Sequence, residues 1–193
     1  MASTTRANFK FRMKPDSTTR ESAVLILFYQ QEGILKLPLI LRPVYEGVHS
    51  GQIALPGGRM EEADKDFYET AVRETKEEIG INPSDVTVMG TLSDLFVFAS
   101  NYMVHPVVGY INHKPAFSVD PREVDQLIEV PLATLLDESI RGIKTIVVGG
   151  NVEVSAPYFD VDGHTVWGAT AMMLSELLTV IQELEDKVLQ ELR

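Results

Sequence analysis

The chain has 193 residues, 45% of them hydrophobic, a content that supports a single domain with a sizeable core. Its formal net charge of −11 argues against nucleic acid as a partner, because phosphate backbones need a basic face. The absence of cysteine excludes disulfides, thiolate nucleophiles and Cys-based metal sites. No run approaches a membrane span and the start lacks the apolar stretch of a signal peptide, so no membrane partner and a cytoplasmic location are expected.

Residues 1–19 form a basic arm containing Arg6, Lys10, Arg12 and Lys14, which is expected to fray or lie on the surface. Residues 20–193 read as one domain without internal repeat or low-complexity linker. Ala23 to Tyr29 is a nearly continuous apolar run, the pattern of a central strand. Gln30 to Gly33 turn the chain, and Leu35 to Leu41 return as a second strand. Pro43 to Gly51 is a loop leading to a Pro56-Gly57-Gly58 turn. A helix follows that ends in Arg73-Glu74-Thr75-Lys76-Glu77-Glu78-Ile79-Gly80. Tyr68, Ala71, Val72, Thr75 and Ile79 make its apolar stripe, and Gly80 is its left-handed stop.

Val86 to Leu92 and Met103 to Ile111 then read as strands, with Ser93 to Asn101 between them as a loop rich in small and aromatic residues, a candidate border of a binding site. Asp120 to Asp125 precede a short strand ending in Val130, and Pro131 to Asp137 suggests a short helix. Lys144 to Val148, Val152 to Val154 and Tyr158 to Val161 are short strands, and Asp162-Gly163 is a hairpin turn before His164 to Trp167. From Ala169 onward Met172, Leu174, Leu177, Leu178, Ile181, Leu184 and Val188 keep helical spacing. That long amphipathic helix leaves a homodimer open.

The chemistry concentrates after the glycine turn. At roughly 100° per residue, Glu74 and Glu78 fall about 40° apart, with Glu77 about 60° to the other side of Glu74. Carboxylates crowded on one arc repel one another unless a cation faces them. With hard oxygen donors and no cysteine or histidine cluster, that cation is Mg2+ or Mn2+ rather than zinc. Arg73 lies one turn before Glu77 and can hold that carboxylate as an i,i+4 pair. Gly57-Gly58 allows backbone carbonyls to come close without a Cβ in the way.

This stretch resembles the Nudix box, G-x5-E-x7-R-E-U-x-E-E-x-G-U, in which U is a bulky aliphatic. Arg73, Glu74, Glu77, Glu78, Gly80 and Ile81 match, Thr75 replaces the aliphatic, and one extra residue in the front half puts Gly58 and Asp64 in register. Such a lengthened box is similar to that of the coenzyme A pyrophosphatase branch of Nudix hydrolases. So are Leu39 to Arg42, His49 to Gly58, Met103 to Gly109, Glu129 to Leu132 and Val166 to Gly168. Two positions depart: Gly47 stands where that branch has a second arginine, and Leu55 replaces a phenylalanine.

The resemblance implies an α+β fold, a three-layer α/β/α sandwich with a mixed sheet, and hydrolysis of a diphosphate linkage in a small nucleoside diphosphate derivative. Coenzyme A or an acyl derivative is the leading substrate; ADP-ribose or a nucleotide-sugar is the alternative, and a non-catalytic nucleotide-sensing module is a reading of another class. Glu74, Glu77, Glu78 and the Gly58 carbonyl are the expected metal ligands. Arg73 is expected to assist, and the base role falls to a box glutamate or to a distal acid such as Glu123. Arg42, His49, Gly57 and Arg59 are expected to face the substrate. His105, His113 and His164 read as structural or surface histidines, Trp167 and Phe159 as core, and Ser50 lacks the G-x-S-x-G setting of a nucleophile.

Overall fold

The computed structural model describes residues 14–47, 49–148 and 152–191; the basic arm lies outside them up to residue 13. Strand β1 (Arg20–Gln31) is buried on both faces. Ala23, Leu25, Leu27 and Tyr29 point to one side, Ile26 and Phe28 to the other. Only a strand apolar on both faces can lie between two layers. It therefore runs through the middle of an eight-stranded mixed sheet.

On one side of β1, β7 (Tyr102–Ile111) lies parallel, from Arg20↔Tyr102 to Tyr29↔Ile111. β5 (Thr87–Thr91) and β6 (Leu95–Val97) pair antiparallel with β7. On the other side, β2 (Ile34–Leu41) joins β1 through Glu32 and Gly33, whose φ values of 53° and 79° suit a tight hairpin. The outer edge of β2 is paired with β8 (Gln126–Pro131).

β1 and β2 pair only near their hairpin. At the far end β3 (Ile53–Ala54) pairs with β2 and β4 (Gly57–Arg59) pairs with β1. The segment 53–59 thus fills a split in the sheet. This corrects the expected Pro56-Gly57-Gly58 turn: Gly57 and Gly58 are strand residues opposite Val24 and Ala23.

Helix α1 (Phe67–Ile79) covers the Leu25/Leu27 face through Ala71 and Ile79. The opposite face is covered by α2 (Leu132–Leu136), by α3 (Gly168–Glu191) through Leu174, Leu177 and Leu178, and by a second antiparallel sheet. That sheet comprises β9 (Arg141–Val148), β10 (Val152–Val161) and β11 (His164–Trp167). The architecture is an α+β, three-layer sandwich around a mixed sheet. Among the described residues no helix is long and apolar enough to cross a membrane.

Three local readings change. Tyr68 is 41% exposed, whereas Thr70 is buried with its hydroxyl donating to Asp64 and to the Asp66 carbonyl; Ala71, Thr75 and Ile79 lie inside. Met172 is 58% exposed, whereas Met173 packs inside; Val188 lies outside the described side chains. The stretch Ser93 to Asn101 contains β6 and is not wholly loop.

Gly57 has φ 150°, and a Cβ there would meet the Ala23 carbonyl oxygen at 2.3 Å and Val24 Cα at 2.5 Å. Gly57→Ala combines overpacking with backbone strain and should destabilise the fold by about 3 kcal/mol. Denaturant unfolding checks this; an unchanged midpoint would mean β4 does not depend on that contact.

Candidate functional site

The site forms where α1 crosses the split in the sheet. Asp66 caps the helix by accepting the Glu69 amide at 2.8 Å, and Gly80, at φ 76°, ends it. Between these stops the helix lies directly on β4. A Cβ on Gly58 would fall 2.3 Å from Glu74 Oε2, so only a glycine lets this carboxylate rest against the strand backbone.

Arg73 organises the acids. Its Nε and Nη2 donate to the two Asp64 oxygens at 2.9 and 2.8 Å, and Nη2 also donates to the Arg59 carbonyl at 3.0 Å. Its Nη1 donates to Glu74 at 2.9 Å and to Glu77 at 3.4 Å. The i,i+4 pair with Glu77 therefore exists but is the longest contact; the forked bond to Asp64 dominates. Arg73 holds the Asp64 carboxyl well below its ordinary range, and Asp64 in turn raises the guanidinium's affinity for its proton.

The three box glutamates occupy different environments. Glu77 is 52% exposed, Glu74 14% and Glu78 3% by side chain, so the acidic arc runs from solvent into the interior. Glu78 Oε2 accepts the Gly57 amide at 2.8 Å, and its Oε1 lies 3.6 Å from Arg42 Nη2. Burial pushes Glu78 up to about 7, with Arg42 and the Gly57 amide opposing and the charges of Glu74 and Glu123 adding. Burial also raises Glu74, with Arg73 opposing and Glu77 and Glu123 adding.

Glu123, distant in sequence, reaches this field because its loop is tied to the helix end. The Asp120 amide donates to the Glu78 carbonyl at 2.9 Å and the Ser118 amide to the Ile79 carbonyl at 3.0 Å. Hard oxygen donors, mutual repulsion and the glycine cradle under Glu74 fit a divalent cation. Among the described residues, no three His, Asp or Glu side chains converge into a ready cage. Glu74 is held by Arg73 and Glu78 by Gly57, which keeps the carboxylates apart.

The expected substrate-facing residues separate. Arg42 lies at the end of β2, donates to the Gly57 carbonyl at 3.3 Å and borders Glu78. Arg59 is exposed, and its side chain has no ion pair or hydrogen bond among the described residues. His49 Nδ1 lies 3.1 Å from Gln52 Oε1 on the loop between β2 and β3 (the approach loop), and neither is a hydrogen-bond partner of the box carboxylates. His105 is structural in placement: its nitrogens lie 2.7 Å from Asp94 and 2.7 Å from Glu21, and its ring stacks on Phe67. Phe159 is core, whereas Trp167 is only partly buried and lines a cavity.

Asp64 is the residue that spacing alone undervalued. Nine positions before Arg73 and off the helix, it has no periodic relation to it. Its place in the box register was the one available signal.

The family model described as NUDIX domain matches residues 19–146. "Nudix hydrolase 15, mitochondrial" of Arabidopsis thaliana is 36% identical over 182 residues, covering 89% of this chain; the chain spans 61% of that relative's length. "Mitochondrial coenzyme A diphosphatase NUDT8" of Homo sapiens is 32% identical over 178 residues, covering 91% of this chain and 73% of the relative. A solved Nudix hydrolase from M. smegmatis, RenU, shares the fold with a TM-score of 0.51 at 20% identity, over 60% of this chain and 73% of that one. The matched span holds β1 to β8, α1 and every carboxylate described above, and the chain belongs to the Nudix hydrolase family.

Proposed function

We propose that the chain is a metal-dependent diphosphatase acting on coenzyme A or an acyl-coenzyme A, releasing the phosphopantetheine part and adenosine 3′,5′-bisphosphate. The observation that carries the hydrolase reading is the pair of shielded carboxylates, Glu74 held over Gly58 by an anchored Arg73 and Glu78 buried on the Gly57 amide beside Arg42. A module that only bound nucleotide would have no use for carboxylates kept at such electrostatic cost. The coenzyme A reading draws on the box register, on the branch-like segments around it and on the similarity to the human relative named for that activity.

Nudix enzymes generally use a divalent metal ion. Here Glu74, Glu77, Glu78 and the Gly58 carbonyl would hold it, as Mg2+ or Mn2+. When bound, the ion supplies charge neutralisation for the diphosphate and a more acidic attacking water. Arg73 positions Glu74 and, more loosely, Glu77. Arg42 keeps donors open beside Glu78, where an anionic substrate would otherwise meet only repulsion. The proton of the attacking water passes to a glutamate of the box or to Glu123. ADP-ribose or a nucleotide-sugar is favoured only by Gly47, which leaves one expected cation out of the approach loop.

Glu78→Gln tests the site. A hydrolysis panel of coenzyme A, acyl-coenzyme A, ADP-ribose, NADH and diadenosine polyphosphates, with and without Mg2+ or Mn2+, should show metal-dependent turnover. The variant should reduce that turnover by roughly two orders of magnitude. Its folding should behave in the opposite sense. Glu78 is raised from 4.5 to about 7, so its contribution to stability is complete below pH 4.5 and is lost as pH climbs through about 7. Metal-free Glu78→Gln should therefore match wild type at low pH and exceed it above pH 7, by up to about 3 kcal/mol. Wild-type turnover in the variant, or a variant less stable at pH 8, would contradict the assignment.

The substrate choice has its own test. Gly47 has no positive φ, and among the described residues a Cβ there would meet only the Tyr45 ring, at 2.9 and 3.3 Å. Gly47→Arg should fold and supply a phosphate contact of about 1.5–3 kcal/mol. KM for coenzyme A should fall while ADP-ribose hydrolysis stays nearly unchanged. A folded variant with no gain on coenzyme A, in a protein that prefers ADP-ribose, would replace the substrate.

A further inference from the structure

A cavity of about 320 Å³ lies outside the carboxylates' chemistry, between the loop that follows β2 and the second sheet. Leu41, Gln52 and Ile53 form one wall, and Lys144, Thr165 and Trp167 form the other. The two regions are physically joined. Leu41 precedes Arg42, whose guanidinium stands 3.6 Å from Glu78, and the Arg42 amide donates to the Gln52 carbonyl at 3.0 Å. Thr170 fastens the same wall by donating to the Ile53 carbonyl at 3.1 Å. One backbone step, Leu41 to Arg42, thus leads from the cavity wall to the carboxylate site.

The lining selects a chemistry. Among the described residues Lys144 Nζ donates only to the Thr165 hydroxyl, at 3.0 Å, and it lies 5.8 Å from the Tyr158 ring centroid. Among the described residues no carboxylate forms an ion pair with it. Asp160, opposite Thr165 in the strand register, accepts the Gly163 amide at 2.9 Å instead. A lysine without an acidic partner, in a chain of net charge −11, favours an anion at its tip. Trp167 is partly buried and stacks on no other ring among the described residues, so an aromatic face borders the same space. The volume is at the lower end of ligand pockets, enough for one nucleoside and its phosphate.

We propose that this cavity receives the phosphorylated nucleoside of the substrate, the base against Trp167 and a ribose phosphomonoester on Lys144. Lys144 is then a specificity-determining residue for substrates that carry a phosphate besides the diphosphate. The placement rests on the diphosphatase reading, but its test does not require turnover.

Trp167 is the single tryptophan of the chain, so its emission reports directly on the cavity. The metal-free protein is titrated with adenosine 3′,5′-bisphosphate and with 5′-AMP. Wild type should show a saturable change, with the bisphosphate binding roughly tenfold more tightly than 5′-AMP. Lys144→Ala, at an exposed position whose loss leaves the core intact, should bind both equally, with Lys144→Gln as the isosteric check. Emission unmoved by either nucleotide, or a preference that survives in both variants, overturns the proposal. Kinetics separate the two readings: Lys144→Ala should raise KM for coenzyme A but not for dephospho-coenzyme A, with kcat kept. Coenzyme A hydrolysis with unchanged KM in the variant would sink the cavity and spare the diphosphatase. Lys144-dependent binding in a protein that hydrolyses no coenzyme A would do the reverse.

Discussion

One guanidinium holds the functional region together. Arg73 spans Asp64 before α1, Glu74 and Glu77 on it, and the Arg59 carbonyl at the end of β4. Those four partners belong to the sheet split, the connecting loop and the helix, so the fork sets how α1 lies on the strand. Lysine could neutralise the same charge but not reproduce the planar geometry of several directed donors. Ion clusters of this burial are rarely a net gain in stability, since desolvation offsets most of the attraction. Their retention here is better understood as positioning: Glu74 is held over Gly58 because Arg73 is itself held by Asp64.

The second constraint is the closeness of backbone to carboxylate. β4 inserts between β1 and β2, and Gly57 and Gly58 are the residues that make room, one against the Ala23 carbonyl and the other under Glu74. That approach buries Glu78 and gives it a backbone amide and a nearby arginine in place of water. The result is a gradient along one helix face. Glu77 meets solvent, Glu74 is partly shielded, and Glu78 sits where burial disfavours its charge.

The main elements were legible because they are local. Periodicity and the Gly80 stop identify α1, continuous apolarity marks β1, and Asp162-Gly163 marks the last hairpin, where φ values of 51° and 82° appear. What escaped was set by long-range contacts. Pro56-Gly57-Gly58 reads as a turn, and only pairing with Ser22 to Val24 makes a strand of it. Arg73 has a helical neighbour in Glu77, yet a bidentate partner outside the helix outcompetes it. Met172 and Met173 are equally apolar, and only the docking of α3 decides which is buried.

Trp167 extends the same lesson to the site. Its type and position at the end of β11 suggest core, but the opposing wall comes from residues more than a hundred positions earlier, and no spacing rule connects them. The family match, residues 19–146, contains Asp64, Glu74, Glu77, Glu78 and Glu123 and ends within β9. Thr165 and Trp167 lie beyond it. The box carboxylates and the Trp167 wall therefore come from different parts of the fold, joined at Leu41 and Arg42. Substitutions on β9 and β11 reshape the cavity without touching the Arg73 fork.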